Sequence, residues 1–117
     1  MIKATIYHNA SCGTSRSTLA LIRDQGVEPE IIEYMKTRFT KKTLQGLLGS
    51  MHISARDLLR TNEDAYRTLN LASEKWSDDE LIDFMVRDPS LINRPIVTTT
   101  VGTKLCRPPE TVLEILK

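Results

Sequence analysis

Residues 5–15 read Thr-Ile-Tyr-His-Asn-Ala-Ser-Cys-Gly-Thr-Ser and predict a strand that runs through a polar turn into a helix. The β-branched and aromatic residues 5–7 favour a short buried strand. A helix is expected over residues 15–25, with Gly26 as its stop signal. A second strand over residues 30–34 completes a strand–helix–strand unit, which implies a parallel pair of strands with a right-handed crossover.

The middle of the chain, residues 40–90, is predicted to be helical. Its apolar residues recur at helical spacing, most clearly at Leu44, Leu47, Leu48 and Met51. Helix starts are expected at the cap residue Thr40, at the capping boxes 54–57 and 77–80, and at residue 64. The short helices should end near Leu59 and Leu69, and the last of the four should end before Pro89.

The last quarter of the chain returns to strand-like periodicity. Residues 96–99 and 103–106 are expected to pair as a β-hairpin, and Pro108 begins a terminal helix. The order of elements predicts an α/β protein. Residues 1–117 are predicted to form a single domain with a helical insertion at about 40–90.

The composition excludes several classes of protein. The chain has 117 residues, of which 40% are hydrophobic and 26% charged, as in an ordinary folded domain. Sixteen Lys and Arg against 15 Asp and Glu leave a net charge of +1, so no strong field attracts nucleic acid or an anionic membrane. We expect no nucleic-acid partner and no membrane segment. Two distant cysteines without a Cys-x-x-Cys motif favour the cytoplasm.

Cys12 is the leading candidate for chemistry. It lies between a predicted strand and a helix N-terminus, where the helix dipole favours a thiolate over a thiol. The backbone N–H groups of Gly13, Thr14 and Ser15 can bind an oxyanion at the same place. His8, if protonated, would stabilise the thiolate. The alternative is that Cys12 is simply a small residue buried in a turn.

The spacing around Cys12 excludes three familiar motifs. Three residues separate Cys12 from Arg16, whereas a tyrosine-phosphatase loop has five between its Cys and Arg. The Gly-Lys-Ser/Thr ending of a P-loop is absent. A dithiol motif would need a second cysteine where the chain has Ser15. The histidines and cysteines also lack the spacing of a zinc site, so we expect a monothiol anion site without metal.

Arginines at three places are embedded among apolar neighbours: Arg60, Arg94 and Arg107. The planar guanidinium group can hold a tetrahedral oxyanion through two parallel hydrogen bonds. Each of these residues taken singly could equally be a partner in a surface ion pair.

Four motifs together resemble the glutaredoxin-coupled arsenate reductase family. They are Tyr7-His8-Asn9-x-x-Cys12-Gly13-Thr14-Ser15-Arg16, Leu58-Leu59-Arg60, Ile92-Asn93-Arg94-Pro95-Ile96-Val97 and Leu105-Cys106-Arg107-Pro108. The resemblance implies a thioredoxin-like fold: a central four-stranded mixed sheet flanked by helices, with a helical insertion between the second strand and the C-terminal hairpin. It also implies a cis peptide bond before Pro95.

The same resemblance implies a reaction. Cys12 would be the nucleophile, His8 would help to lower its pKa, and Arg60, Arg94 and Arg107 would form an arginine clamp around arsenate. Glutathione would be the co-substrate and glutaredoxin the partner protein, with no bound cofactor. Cys106 is then either a packed bystander or an internal resolving thiol.

Two other functions remain possible from the sequence. One is a thioredoxin-like regulatory protein that binds RNA polymerase, although such proteins usually carry a dithiol switch, which Ser15 does not allow here. The other is a general glutathione-dependent thiol–disulfide oxidoreductase. Neither of them requires an arginine clamp.

Overall fold

The structure is a computed structural model that describes residues 3–116. Its elements are β1 (Ala4–His8), α1 (Gly13–Asp24), β2 (Glu30–Glu33), α2 (Lys41–Met51), α3 (Ala55–Leu58), α4 (Asp64–Thr68), α5 (Asp78–Arg87), a first 3-10 helix (Pro89–Leu91), β3 (Ile96–Thr99), β4 (Thr103–Leu105) and a C-terminal 3-10 helix (Pro109–Ile115). The described residues form two compact units, one of residues 3–37 with 94–116 and the other of residues 38–93. That the whole chain is a single domain stays a prediction.

The first unit contains a four-stranded sheet with the strand order β2-β1-β3-β4. β1 pairs with β2 in parallel, and β3 is antiparallel to both β1 and β4. The parallel pair and the C-terminal hairpin predicted from the sequence are therefore confirmed. The mixed sheet and the helices that separate β2 from β3 confirm the predicted fold class.

One face of this sheet holds the core of the unit. Alternation along β1 buries Ala4, Ile6 and His8 on the same side. The buried residues of α1 are Ser15, Thr18 and Ile22, which share one side of the helix. The core cluster consists of Ala4, Ile6, Ile22, Val97, Cys106, Val112, Ile115 and Leu116.

The second unit is helical, as predicted for that part of the chain. Its helices α2 and α3 and the first 3-10 helix all pack against α5. The predicted caps are confirmed: Thr40 accepts a hydrogen bond from the Thr43 N–H, and Ser54 and Ser77 both form complete capping boxes. None of the described helices, in either unit, is long and apolar enough to cross a membrane.

The structure corrects several predicted boundaries. α1 begins at Gly13 rather than at residue 15, because Cys12 occupies the N-cap position. The strands β2 and β4 and the helices α3 and α4 each end one residue earlier than predicted. The terminal helix is a 3-10 helix rather than an α-helix. Its buried residues, Val112 and Ile115, are spaced i, i+3, and this spacing suits either winding, so the sequence pattern does not distinguish them.

Candidate active site

The loop that carries Cys12 is held by hydrogen bonds from both of its ends. The Cys12 N–H donates to the carbonyl oxygen of Asn9 at 2.9 Å. The Asn9 side-chain oxygen accepts the N–H of Ser11 at 3.0 Å. From the first turn of α1, Arg16 Nη1 donates to the carbonyl oxygen of Ala10 at 2.8 Å. These contacts fix the backbone conformation of the loop that carries the Cys12 sulfur.

Two of the predicted arginines lie at the sulfur, and the hairpin places them there. β3 and β4 pair with Ile96 opposite Leu105, so Arg94 and Arg107 flank the same end of the ladder. Arg107 Nη1 lies 3.8 Å from Cys12 Sγ and donates to the carbonyl oxygen of Arg94 at 2.8 Å. The peptide bonds Arg94–Pro95 and Arg107–Pro108 are both cis, the first as the resemblance implies.

These surroundings favour the thiolate form of Cys12. Burial raises the pKa of the thiol, but the backbone N–H of Ser15 and the side chains of Arg94 and Arg107 lower it. The result is a pKa of about 7, below the ordinary value. A substantial fraction of Cys12 is therefore ionised, and hence nucleophilic, at neutral pH.

Alkylation should report this ionisation. The rate at which iodoacetamide modifies Cys12 is expected to rise with pH and to reach half its plateau at about pH 7, because only the thiolate reacts. Absorbance of the thiolate gives an independent midpoint, with Cys12→Ser as the blank. A midpoint at about 8.5 or above, the value of a free cysteine, would contradict the geometry described here.

The N-terminus of α1 supplies the other predicted anion ligands. Gly13, Thr14 and Ser15 are the first three residues of the helix. No helical turn precedes them, so their N–H groups have no carbonyl acceptor within the helix. The side chain of Ser15 is fully buried, and its Oγ lies 2.6 Å from His8 Nδ1. Oγ also accepts the N–H of Asn9 at 3.1 Å. His8 thus contacts the hydroxyl of Ser15.

The charge state of His8 differs from the one considered in the sequence analysis. Burial lowers the pKa of His8, the carboxylate of Glu33 raises it, and Arg16 and Arg23 lower it. The net effect is a lowered pKa, so the imidazole is mostly neutral at pH 7. A protonated His8 that stabilises the thiolate through its charge is therefore disfavoured.

Arg60 belongs to the second unit. It lies directly after α3 and is hydrogen-bonded to the segment before β3. Its backbone N–H donates to the carbonyl oxygen of Leu91 at 2.8 Å. Its side chain is only 15% exposed and donates to Glu63 Oε1 at 3.1 Å and to Asn93 Oδ1 at 3.4 Å. Partly buried ion pairs of this kind fix the direction of a guanidinium group.

Cys106 differs from Cys12 in every respect that governs reactivity. It is fully buried in the core of the first unit, and its Sγ contacts the carbonyl oxygen of Lys104 at 3.6 Å. Burial and the charge of Glu114 raise its pKa, which Lys104 lowers less, and the result is about 12. These observations favour the packed bystander over the resolving thiol.

Counting reactive thiols should separate the two cysteines. Iodoacetamide at neutral pH is expected to modify the folded protein at Cys12 alone, and at both cysteines after denaturation, because Cys106 is buried and protonated. Peptide mapping by mass spectrometry identifies the modified residue. Rapid modification of Cys106 in the folded protein would contradict its assignment as a bystander.

No group of three or more metal-ligating side chains comes together within residues 3–116. The groups that lie at the Cys12 sulfur are the guanidinium groups of Arg94 and Arg107 and the backbone N–H of Ser15.

Comparison with known proteins assigns the chain to a family. Residues 7–115 match the family model of the ArsC family. The chain belongs to the ArsC family. The match spans nearly the whole sequence, and it includes the loop of Cys12 and the two arginines of the hairpin.

Relatives in the ArsC family are similar along almost all of this chain. It is 57% identical over 116 residues to "Arsenate reductase" of Escherichia coli (strain K12), which covers 99% of this chain and 82% of that protein. It is 45% identical over 112 residues to "Arsenate reductase" of Rhizobium meliloti (strain 1021), which covers 96% of this chain and 80% of that protein. The solved structure "Arsenate reductase from Vibrio cholerae" is 40% identical, covers 98% of both chains and superposes with a TM-score of 0.95. The thioredoxin-like fold implied by the resemblance is thereby confirmed.

Two supporting features of the site were not predicted from the sequence. One is the hydrogen bond that the Arg16 side chain donates to the Ala10 carbonyl oxygen, because no sequence motif predicts this contact. The other is the contact between His8 and Ser15. The second could have been found, since alternation along β1 and helical spacing along α1 place both side chains between the strand and the helix.

Proposed function

We propose that this chain is an arsenate reductase that uses the thiolate of Cys12 as its nucleophile. The observation that carries the proposal is the contact of Arg107 Nη1 with Cys12 Sγ, together with a thiol pKa of about 7. A general thiol carrier needs a reactive sulfur but no guanidinium groups beside it. The names of the relatives described above point to the same substrate.

In the first step, the thiolate attacks arsenic and displaces one oxygen, which leaves as water after protonation. The product is an arseno-cysteine in which arsenic is still pentavalent. Arsenate and thiolate are both negative, so they approach only where cations neutralise the oxyanion. Arg94 and Arg107 supply that charge, and the N–H groups of Gly13, Thr14 and Ser15 supply further donors.

In the second step, the thiol of glutathione supplies the reducing sulfur. Its thiolate attacks the sulfur of Cys12, the sulfur–arsenic bond breaks, and the electron pair stays on arsenic, which leaves as arsenite. Cys12 and glutathione are oxidised together to a mixed disulfide, and glutaredoxin then reduces this disulfide. An external thiol is needed because Ser15 stands where a resolving cysteine would be and because Cys106 is buried.

Two further parts of the proposal rest on the resemblance, and a third, the cellular location, rests on the cysteine pattern. Arg60 is the third arginine of the clamp. No cofactor is bound, since glutathione and glutaredoxin carry the electrons. The reaction takes place in the cytoplasm, where reduced glutathione is available.

A coupled assay tests this function. The purified protein is mixed with arsenate, glutathione, glutaredoxin, glutathione reductase and NADPH, and the oxidation of NADPH is followed by absorbance. We expect turnover that stops when arsenate, glutathione or glutaredoxin is omitted. A folded protein that instead turns over glutathione mixed disulfides without arsenate is a general oxidoreductase, and a folded protein with neither activity favours a regulatory role. Either outcome overturns the proposal.

A further inference from the structure

The exposed side of the Cys12 loop carries an arginine whose charge is not neutralised. Arg16 lies in the first turn of α1 and is exposed. Its Nη1 donates to the carbonyl oxygen of Ala10 at 2.8 Å, so the side chain spans the loop from the helix to residue 10. Within residues 3–116, no carboxylate forms an ion pair with Arg16. A neutral carbonyl thus fixes the guanidinium group and leaves its positive charge for a ligand.

Gly13 keeps one donor of this guanidinium group uncovered. The backbone of Gly13 is helical and its φ is not positive, so its conformation does not require glycine. A Cβ atom on Gly13 would lie 3.7 Å from Arg16 Nη2, in ordinary van der Waals contact. A side chain would therefore fit at this position, but it would cover Nη2. We infer that glycine matters here because it leaves the donor accessible.

The place of Arg16 limits what it can bind. Arg94 and Arg107 lie at the Cys12 sulfur, whereas Arg16 contacts the loop backbone two residues before Cys12. A molecule that reacts at the sulfur and extends beyond it along the loop can reach Arg16. Glutathione has this shape, since its thiol lies between two flexible arms that each end in a carboxylate. Guanidinium groups bind carboxylates through paired N–H donors.

We propose that Arg16 and Gly13 form a subsite for a carboxylate of glutathione at the rim of the Cys12 loop. Arg16 Nη2 supplies the donor and the charge, and Gly13 supplies the space beside it. The subsite holds one arm of glutathione while its thiol is presented to the sulfur. The identity of the thiol rests on the proposed function, but the subsite can be tested without arsenate.

The first experiment follows the reaction of Cys12 with oxidised glutathione. The Cys12 thiolate attacks one sulfur of the disulfide and forms a new sulfur–sulfur bond. The original sulfur–sulfur bond breaks, and one glutathione leaves as a thiolate with the electron pair. Mass spectrometry of the intact protein measures the mixed disulfide over time. Bis(2-hydroxyethyl) disulfide has no carboxylate and undergoes the same exchange, so it is the neutral reference.

Variants should separate the two disulfides. Arg16→Gln is expected to slow the reaction with oxidised glutathione about tenfold and to change the reference reaction less than about twofold. Arg16→Lys keeps the charge but not the planar donors, so its rate should be intermediate. Gly13→Ala should slow the glutathione reaction selectively, because its methyl group covers Nη2. Arg23→Gln is the matched control: it removes a charge from the same helix, but Arg23 already pairs with Glu28, so its rate should match the parent.

Three results would overturn the proposal. Equal slowing with both disulfides would make Arg16 only a support of the loop backbone. Equal slowing in Arg16→Gln and Arg23→Gln would show an effect of net charge alone. A normal reaction with oxidised glutathione, followed by slow reduction of the mixed disulfide by glutaredoxin, would place Arg16 at the surface that meets the partner protein. Each of these refutes the subsite alone, whereas a protein that is inactive on arsenate refutes the proposed function.

A titration of the parent protein covers the case in which a variant does not fold. S-methylglutathione keeps both carboxylates but has no free thiol, so it binds without reacting. Nitrogen-15 NMR follows the backbone amide of Gly13 and the side-chain Nε–H of Arg16 during the titration. We expect both signals to shift, and to shift less at high salt, since exposed charges are screened. Signals that stay in place throughout the titration would refute the proposal.

Discussion

Arsenate reduction should fall to the rate of the protein-free mixture when Cys12 is replaced by serine. The serine hydroxyl keeps almost the same size but is not ionised near neutral pH, and it cannot form the mixed disulfide with glutathione. The thiol of Cys12, by contrast, has a pKa of about 7. The coupled assay measures the rate, and circular dichroism shows that the variant is folded.

Cys106→Ser is the matched control for this replacement. The new hydroxyl would have the Lys104 carbonyl as an acceptor, because the Cys106 sulfur already contacts that oxygen. We expect most of the activity to remain. Mass spectrometry of the parent protein after one turnover, with glutaredoxin left out, should show Cys12 joined to glutathione. A disulfide between Cys12 and Cys106 would show that the external-thiol mechanism is wrong.

The second large effect is expected at the arginines. Arg94→Lys keeps the positive charge but loses the planar pair of donors, so arsenate use should fall at least about tenfold. Arg107→Ala removes the guanidinium that contacts the sulfur, and Arg60→Ala removes the third proposed ligand. Loss of one such donor usually lowers the rate about 100-fold to 1000-fold, or about 3–4 kcal/mol. Steady-state rates across a range of arsenate concentrations measure both effects.

Two controls show whether these losses concern the oxyanion. Arg67→Ala removes an exposed arginine that pairs with Asp64 in the second unit, and it should leave the rate unchanged. Iodoacetamide is uncharged, so alkylation of Cys12 should fall much less than arsenate reduction in all three variants. Sulfate or phosphate should protect Cys12 in the parent and protect it poorly in the variants. If all three variants reduce arsenate normally, the clamp does not exist.

The sequence predicted the elements of the first unit because local signals and long-range packing agree there. The apolar strand at residues 5–7 and the hairpin at residues 96–106 are visible in short windows, and both lie in the observed sheet. Gly26, the expected stop signal, follows the end of α1 and has a positive φ. The parallel crossover and the hairpin account for the pairs β1–β2 and β3–β4, whereas the pairing of β1 with β3 joins distant parts of the chain. The winding of the terminal helix was missed because buried residues at i and i+3 fit either helix type.

The candidate site was only partly predictable, because its contacts join distant parts of the chain. The turn before a helix predicted an activated Cys12 from local chemistry. The register of the hairpin, which places Arg94 and Arg107 side by side, could be read only after the pairing of Ile96 with Leu105 was known. The role of Arg60 depends on the resemblance, because its apolar sequence neighbours fit a partner in an ion pair equally well.

The contact between Arg107 and Cys12 joins residues 95 positions apart and therefore has a consequence for biosynthesis. Cys12 leaves the ribosome early. Arg94 and Arg107 emerge only with the final strands, after the helices α2 to α5 have been synthesised. Until β3 pairs with β1 and β4 with β3, the sulfur lacks both guanidinium groups, which lower its pKa in the folded protein. Completion of the sheet is thus the step of folding that brings the two guanidinium groups to the nucleophile.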